Sequence, residues 1–165
     1  MILMIHIRQA KVKDIDQIHQ LDKESVEYHK KFDRQFYTVS RKWWKIKKAS
    51  QIKALKKSSD LILLAEKNKR VIGYIWGYVE KMAKFNVGKI QDLIVTSQYR
   101  NRGIATRLIK RMLKFFMTKK CVISDVEVYI KNNPAIDVYE KTGFVKQNYR
   151  MRLKLGKVKS FSPFS

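Results

Sequence analysis

Ile90-Gln91-Asp92-Leu93-Ile94-Val95-Thr96-Ser97-Gln98-Tyr99-Arg100-Asn101-Arg102-Gly103-Ile104-Ala105-Thr106 reads as an apolar strand, a short polar turn and the first turn of an amphipathic helix. Such a junction suits an anion. The first amides of a helix lack intrahelical acceptors, and the aligned peptide dipoles add partial positive charge there. Gly103 carries no side chain, so a diphosphate can come close to the backbone. Arg100 and Arg102 add formal charge beside it.

The turn lacks the Gly-Lys-Ser/Thr ending of a nucleoside-triphosphate loop and the three-glycine spacing of a dinucleotide fingerprint. Its pattern Arg100-x-x-Gly103-x-Ala105 after an apolar strand resembles the acyl-CoA pyrophosphate loop of the GNAT superfamily of N-acetyltransferases. Further on, Asn132-Asn133-Pro134-Ala135-Ile136-Asp137-Val138-Tyr139-Glu140-Lys141-Thr142-Gly143-Phe144 resembles that superfamily's Asn-x-x-Ala-x-x-x-Tyr-x-x-x-Gly-Phe segment. The two motifs stand in the superfamily's order and separation.

Outward from the junction, hydrophobic periodicity assigns the other elements. Ile5 and Ile7 alternate with polar neighbours as an edge strand. Ile15, Ile18, Leu21 and Val26 recur at helical spacing between Lys13 and His29, and a second helix capped by Ser40 reaches about Lys57. Trp43, Trp44, Ile46, Ile52 and Leu55 lie there among eight Lys and Arg, with no acid between Asp33 and Asp60. This stretch suits a basic, aromatic surface for phosphate backbones, or a helix whose Trp face packs on the sheet with its Lys face solvated. Asp60–Glu66 and Val71–Val79 form a hairpin about Asn68-Lys69-Arg70; Gly73 and Gly77 mark bulges or close backbone approach. Gly88 opens the strand leading into the junction. A helix over Arg102–Met117, a strand over Val122–Ile130 and a helix over Pro134–Lys141 follow. Phe144–Asn148 and Arg150–Leu155 are expected as a closing hairpin. The order β-α-α-β-β-β-α-β-α-β-β is that of the superfamily, so the resemblance spans residues 3–155 and implies a single α/β (α+β) domain over 1–155. Its sheet is mixed and mostly antiparallel, flanked by helices, and residues 156–165 are a C-terminal tail.

At 165 residues the chain suits one domain with a real core. No run of eighteen apolar residues offers a membrane span, and the start lacks a signal cleavage site. Three scattered His and the lone Cys121 give no metal-ligand spacing. Cys121 reads as a small apolar residue opening a strand, and a lone cysteine points to a reducing cytoplasm. The formal charge of +23 indicates a polyanion partner or a Lys-rich composition bias. Heat adaptation alone fits poorly, because it enriches Glu along with Lys.

The resemblance implies acetyl-CoA as cosubstrate and acetyl transfer from its thioester to a primary amine. That reaction needs a base for an amine of pKa ~10.4, donors for charge developing on oxygen, and support for the departing sulfur. By resemblance, the backbone of Leu93, Ile94 and Val95 pairs with the pantetheine arm. Arg100, Asn101, Arg102, Gly103, Ile104, Ala105 and Thr106 cradle the pyrophosphate, and Asn132 bonds the pantetheine or adenosine half. Tyr139 matches the tyrosine that supports the leaving thiolate. A tyrosinate (pKa ~10) is a stronger base than a thiolate (~8.5), so a hydrogen bond to sulfur is the safer role than full proton transfer. Gln91-Asp92-Leu93 resembles the Glu-Asp-aromatic run of diamine and polyamine acetyltransferases, with an amide where their base stands. Asp92 is the candidate base, with Glu80 or a water relay as alternatives. The acceptor is a protein N-terminus or lysine, or a small amine or polyamine, although +23 repels polycations. RNA or ribosome contact through the basic surface is expected, a homodimer is left open, and the competing class is a non-catalytic RNA-associated module.

Overall fold

The structure is a computed structural model that describes residues 4–153. A five-stranded sheet in the order β1-β2-β3-β4-β5 comprises β1 (His6–Gln9), β2 (Asp60–Lys67), β3 (Arg70–Met82), β4 (Phe85–Val95) and β5 (Cys121–Val126). The first four strands pair antiparallel, and β5 runs parallel to β4. Four helices flank the sheet: α1 (Ile15–His29), α2 (Arg41–Ala54), α3 (Ile104–Thr118) and α4 (Asn133–Lys141). None of the described helices is long and apolar enough to cross a membrane.

Side chains alternate across a strand, and the two faces have separate cores. Ile62, Leu64, Tyr74 and Ile94 pack with Ile15, Ile18 and Leu21 of α1 and Ala54 of α2. On the opposite face, Leu63, Ile72, Ile75, Ile90 and Val95 pack with Leu108, Ile109, Met112 and Phe116 of α3 and Tyr139 of α4. The sheet is therefore the middle of three layers.

Both expected irregularities in the hairpin are present. Between Ala65 and Glu66 the register skips Ile72, so that residue is extra on β3. Opposite Trp76 and Gly77, Asp92 and Ile90 are paired and Gln91 is extra. That second bulge sits on β4, across from the glycine that marks it. Gly77 and Gly88 are close-approach positions: a Cβ at either would fall 2.6 Å from Met112 Sδ or 2.4 Å from the Phe116 ring.

Several boundaries differ from expectation. β3 and β4 extend to Met82 and from Phe85, closing a longer hairpin. The strand after α3 stops at Val126, four residues early, because Tyr129 turns away to stack on Phe32. Phe144–Leu153 forms no strand. Val145, Tyr149 and Met151, which would need a sheet face, are exposed. Ion pairs of Lys146 with Glu140, Arg150 with Glu127 and Arg152 with Asp33 hold this stretch instead of a ladder. The end of the expected last strand and the tail from Gly156 lie outside the described residues. α2 departs most in its facing: Trp43 and Ile46 are exposed, while Gln51 and Ala54 are its buried residues. The tryptophan face does not pack on the sheet. A lysine, Lys47, points inward.

Candidate active site

The site begins with the free edge of β4. β5 pairs with β4 only as far as Ile90, opposite Val126. Beyond that point the strands part, and Gln91–Val95 has no ladder partner on that side among the described residues. Apart from the Val95 carbonyl, which Arg100 occupies, the backbone amides and carbonyls there that point away from β3 are available to an extended ligand. The bulge at Gln91 also resets the alternation. Ile90 and Val95 both face α3, while Asp92 and Ile94 face α1 and α2.

At its far end this edge runs into the turn. α1 holds the corner: Glu24 accepts hydrogen bonds from Thr96 Oγ1 and the Ser97 amide, both at 2.7 Å. Arg100 donates to the Val95 carbonyl at 2.9 Å, lies 3.5 Å from Glu24, and stacks over the Tyr28 ring. Its guanidinium thus braces the strand end. Arg102 lies over the Tyr99 ring. Asn101 and Gly103 both take left-handed conformations, with φ of 59° and 72°. Gly103 is the N-cap of α3, no side chain caps that helix, and nothing lies within 4 Å of where a Cβ would stand. The leading amides at Ile104, Ala105 and Thr106 are consequently without a side-chain acceptor, while Ile104 itself is buried and anchors the turn. This cradle fits a pyrophosphate.

Asn132, N-cap of α4, is buried and accepts a hydrogen bond from the Tyr28 hydroxyl at 3.1 Å. Tyr139, on the same helix, packs edge-on against Phe144. Burial, and then the charge of Asp92, push the Tyr139 phenol well above its ordinary value. Tyr139 belongs to the α3 side of the sheet and Asp92 to the α1 and α2 side. Glu80 lies apart from Asp92: it pairs opposite Val87 and stands four residues along β3 from Trp76, the partner of Asp92, or about 13 Å at strand rise. Cys121 sits outside as well, with burial raising its thiol above the ordinary value, the state of an unreactive cysteine.

Around Asp92 the structure adds residues that sequence reading missed. Lys47 Nζ lies 2.7 Å from Asp92 and 3.9 Å from Asp22. Asp22 is buried on α1, accepting hydrogen bonds from the Tyr74 hydroxyl and, at 2.7 Å, from Gln51 Nε2. Burial raises the Asp22 carboxyl above its ordinary range, and the Lys47 charge opposes that rise. The Trp43 and Trp76 rings flank the Lys47 ammonium, each 5.9 Å away. Phe32 and Tyr37 of the α1–α2 connection gather with His29 and Tyr129. Asp22 had a legible signal, a carboxylate on the apolar stripe of Ile18, Leu21 and Val26. Lys47 had none among so many lysines.

An open strand edge thus leads to an uncapped helix start, with the Asp92–Lys47–Asp22 cluster beside it. Residues 13–144 match the Acetyltransferase (GNAT) family. The chain belongs to that family. Its reaction is acyl-CoA-dependent acetyl transfer to an amine, so the expected cosubstrate is acetyl-CoA. Over 143 residues the chain is 25% identical to an uncharacterised N-acetyltransferase of Methanocaldococcus jannaschii, covering 84% of this chain and 59% of that protein. Over 150 residues it is 27% identical to an N-alpha-acetyltransferase of Sulfurisphaera tokodaii, covering 84% and 78%. The fold matches a Bacillus halodurans protein at a TM-score of 0.80, with 18% identity over 90% of this chain and 98% of that one.

Proposed function

We propose that this GNAT protein transfers the acetyl group of acetyl-CoA to the α-amine of a protein N-terminus. The observation that carries the reading is the seated ammonium: beside the free β4 edge, the Nζ of Lys47 already sets a primary amine among two carboxylates and two indole rings. An amine docked there meets Asp92, which accepts its proton. Free backbone amides of Gln91–Val95 face the charge that develops on the acetyl oxygen. Acetyl-CoA supplies the activated thioester; the Arg100–Thr106 turn and Asn132 hold its phosphate and pantetheine portions. Tyr139, kept protonated by its raised pKa, donates a hydrogen bond to the departing sulfur and keeps its proton.

An N-terminal acceptor is favoured by the Sulfurisphaera tokodaii relative, named an N-alpha-acetyltransferase, and by the aromatic group at Phe32, Tyr37 and Tyr129, which suits the apolar side chain of a first residue. A polyamine is disfavoured by the +23 charge. The exposed Arg41, Lys42, Lys45 and Lys53 of α2 support action near ribosomal RNA, on nascent chains in the cytoplasm. Lys48 is less free, since it pairs with Asp16 at 2.7 Å. A monomer suffices for this reading, as every group named comes from one chain. The family match favours turnover over a non-catalytic RNA-binding module.

The test is an acceptor panel: a lysine-free peptide with an open N-terminus, an N-blocked peptide containing lysine, and spermidine. The highest kcat/KM is expected for the first. Turnover of spermidine alone, or of none, would overturn the proposal.

A further inference from the structure

The lysine in the acceptor pocket is more than a marker of where ammonium groups bind. Lys47 is a side chain of this chain, on a helix whose other lysines point to solvent or to the surface. It reaches inward with 15% of its side chain exposed, and its Nζ touches the carboxylate assigned as base. Asp92 immediately precedes the Leu93–Val95 edge along which the donor's arm is placed. A nucleophile, a base and the acetyl donor's track therefore meet within a few residues of β4.

We propose that Lys47 is itself an acceptor, and that the protein acetylates its own Nζ when acetyl-CoA is present without an external amine. The proposal rests on the acetyl-transfer reading above and adds a covalent modification site to it. In the step, Asp92 takes one proton from the Lys47 ammonium and passes it to solvent. The freed lone pair of Nζ forms a C–N bond to the thioester carbonyl carbon as the C–S bond breaks. The second proton lost from nitrogen goes to sulfur, so the products are Nζ-acetyl-Lys47 and CoA thiol. Nothing is oxidised or reduced.

The consequence follows from charge. Acetylation removes the cation that Asp92 and Asp22 share, so the two carboxylates face the pocket without their internal counter-ion. An incoming ammonium then no longer competes with Lys47 for Asp92. Self-acetylation would act as a single-use priming event that clears the acceptor pocket.

The experiment uses the whole chain incubated with acetyl-CoA, in parallel with and without the open-N-terminus peptide. Acetylated sites are read by intact mass and peptide mapping. One acetyl increment on Lys47 is expected, ahead of the exposed Lys42 and Lys45 of the same helix. It should be lost in Lys47→Arg, which keeps the ion pair with Asp92. It should also be lost in Gly103→Glu, which puts a carboxylate in the phosphate cradle. Circular dichroism spectra matching the unsubstituted protein establish that both variants fold. Acetyl groups spread over exposed lysines and unaffected by Gly103→Glu would mean chemical acetylation and would overturn the inference. Lys47 left unmodified while the peptide is acetylated would overturn it and leave the proposed function standing. Modification of neither Lys47 nor peptide would defeat both.

Discussion

At the scale of single residues, the balance between Asp92 and Tyr139 is the most informative feature. Both catalytic candidates and their proposed division of labour come from the sequence, and the environment of Tyr139 agrees with the role proposed for it. A tyrosine whose pKa is pushed upward by burial and then by the charge of Asp92 is a poorer acid than free phenol, and in the proposed reaction the thiolate needs no strong acid to leave. Its hydroxyl is thus a hydrogen-bond donor that stays protonated throughout the working range. Tyr139→Phe should lower kcat by about 10²-fold while KM for acetyl-CoA changes little. The sign of the pH dependence follows: a raised phenol pKa moves its ionisation away from neutrality, so activity of the unsubstituted enzyme should not fall between pH 8 and about 10, the ordinary tyrosine value, through loss of this proton. A kcat unchanged in the variant, or an alkaline limb in that range that Tyr139→Phe removes, would show the role to be wrong.

Among the elements, β4 organises the rest. Its bulge turns Asp92 toward α1 and α2 while Ile90 and Val95 stay on the α3 face, and the sequence marked that spot only indirectly, through Gly77 on the neighbouring strand. Apolar periodicity made the four helices and the first five strands legible, because burying one face of each element is a local requirement visible in spacing. What spacing does not carry is competition for partners. Phe144–Leu153 alternates like a hairpin, yet its arginines and lysine find acids elsewhere and β5 turns away at Val126. In α2 the tryptophans looked like the buried face; the buried network of Asp22, Tyr74 and Gln51 draws Lys47 inward instead. Close packing of β4 on α3 gives a test. A Cβ at Gly88 would overlap the Phe116 ring, so Gly88→Ala should destabilise the protein by about 1–3 kcal/mol, as overpacked cores do. Urea unfolding measures this, and an unchanged or raised midpoint would mean that α3 is free to shift away from β4.

On the scale of the whole molecule, the proposed reaction uses both sides of one strand. In the proposal, the donor lies along the free edge from Gln91 to the α3 N-terminus, and the acceptor enters at Asp92 on the α1 and α2 side. The charge of +23 then favours both a polyphosphate donor and an RNA-rich setting at long range, whereas the pocket itself is locally acidic. The central claim is that acetyl-CoA lies along β4 and ends at the Arg100–Thr106 turn. Amide hydrogen exchange with and without a saturating CoA thioester that cannot be transferred tests it most directly. Slower exchange is predicted in peptides covering residues 91–95 and 101–106, with none at the Arg8, Asp14 and Glu66 ion-pair cluster on the far edge of the sheet. Protection at that cluster with residues 91–95 and 101–106 unchanged would contradict the account.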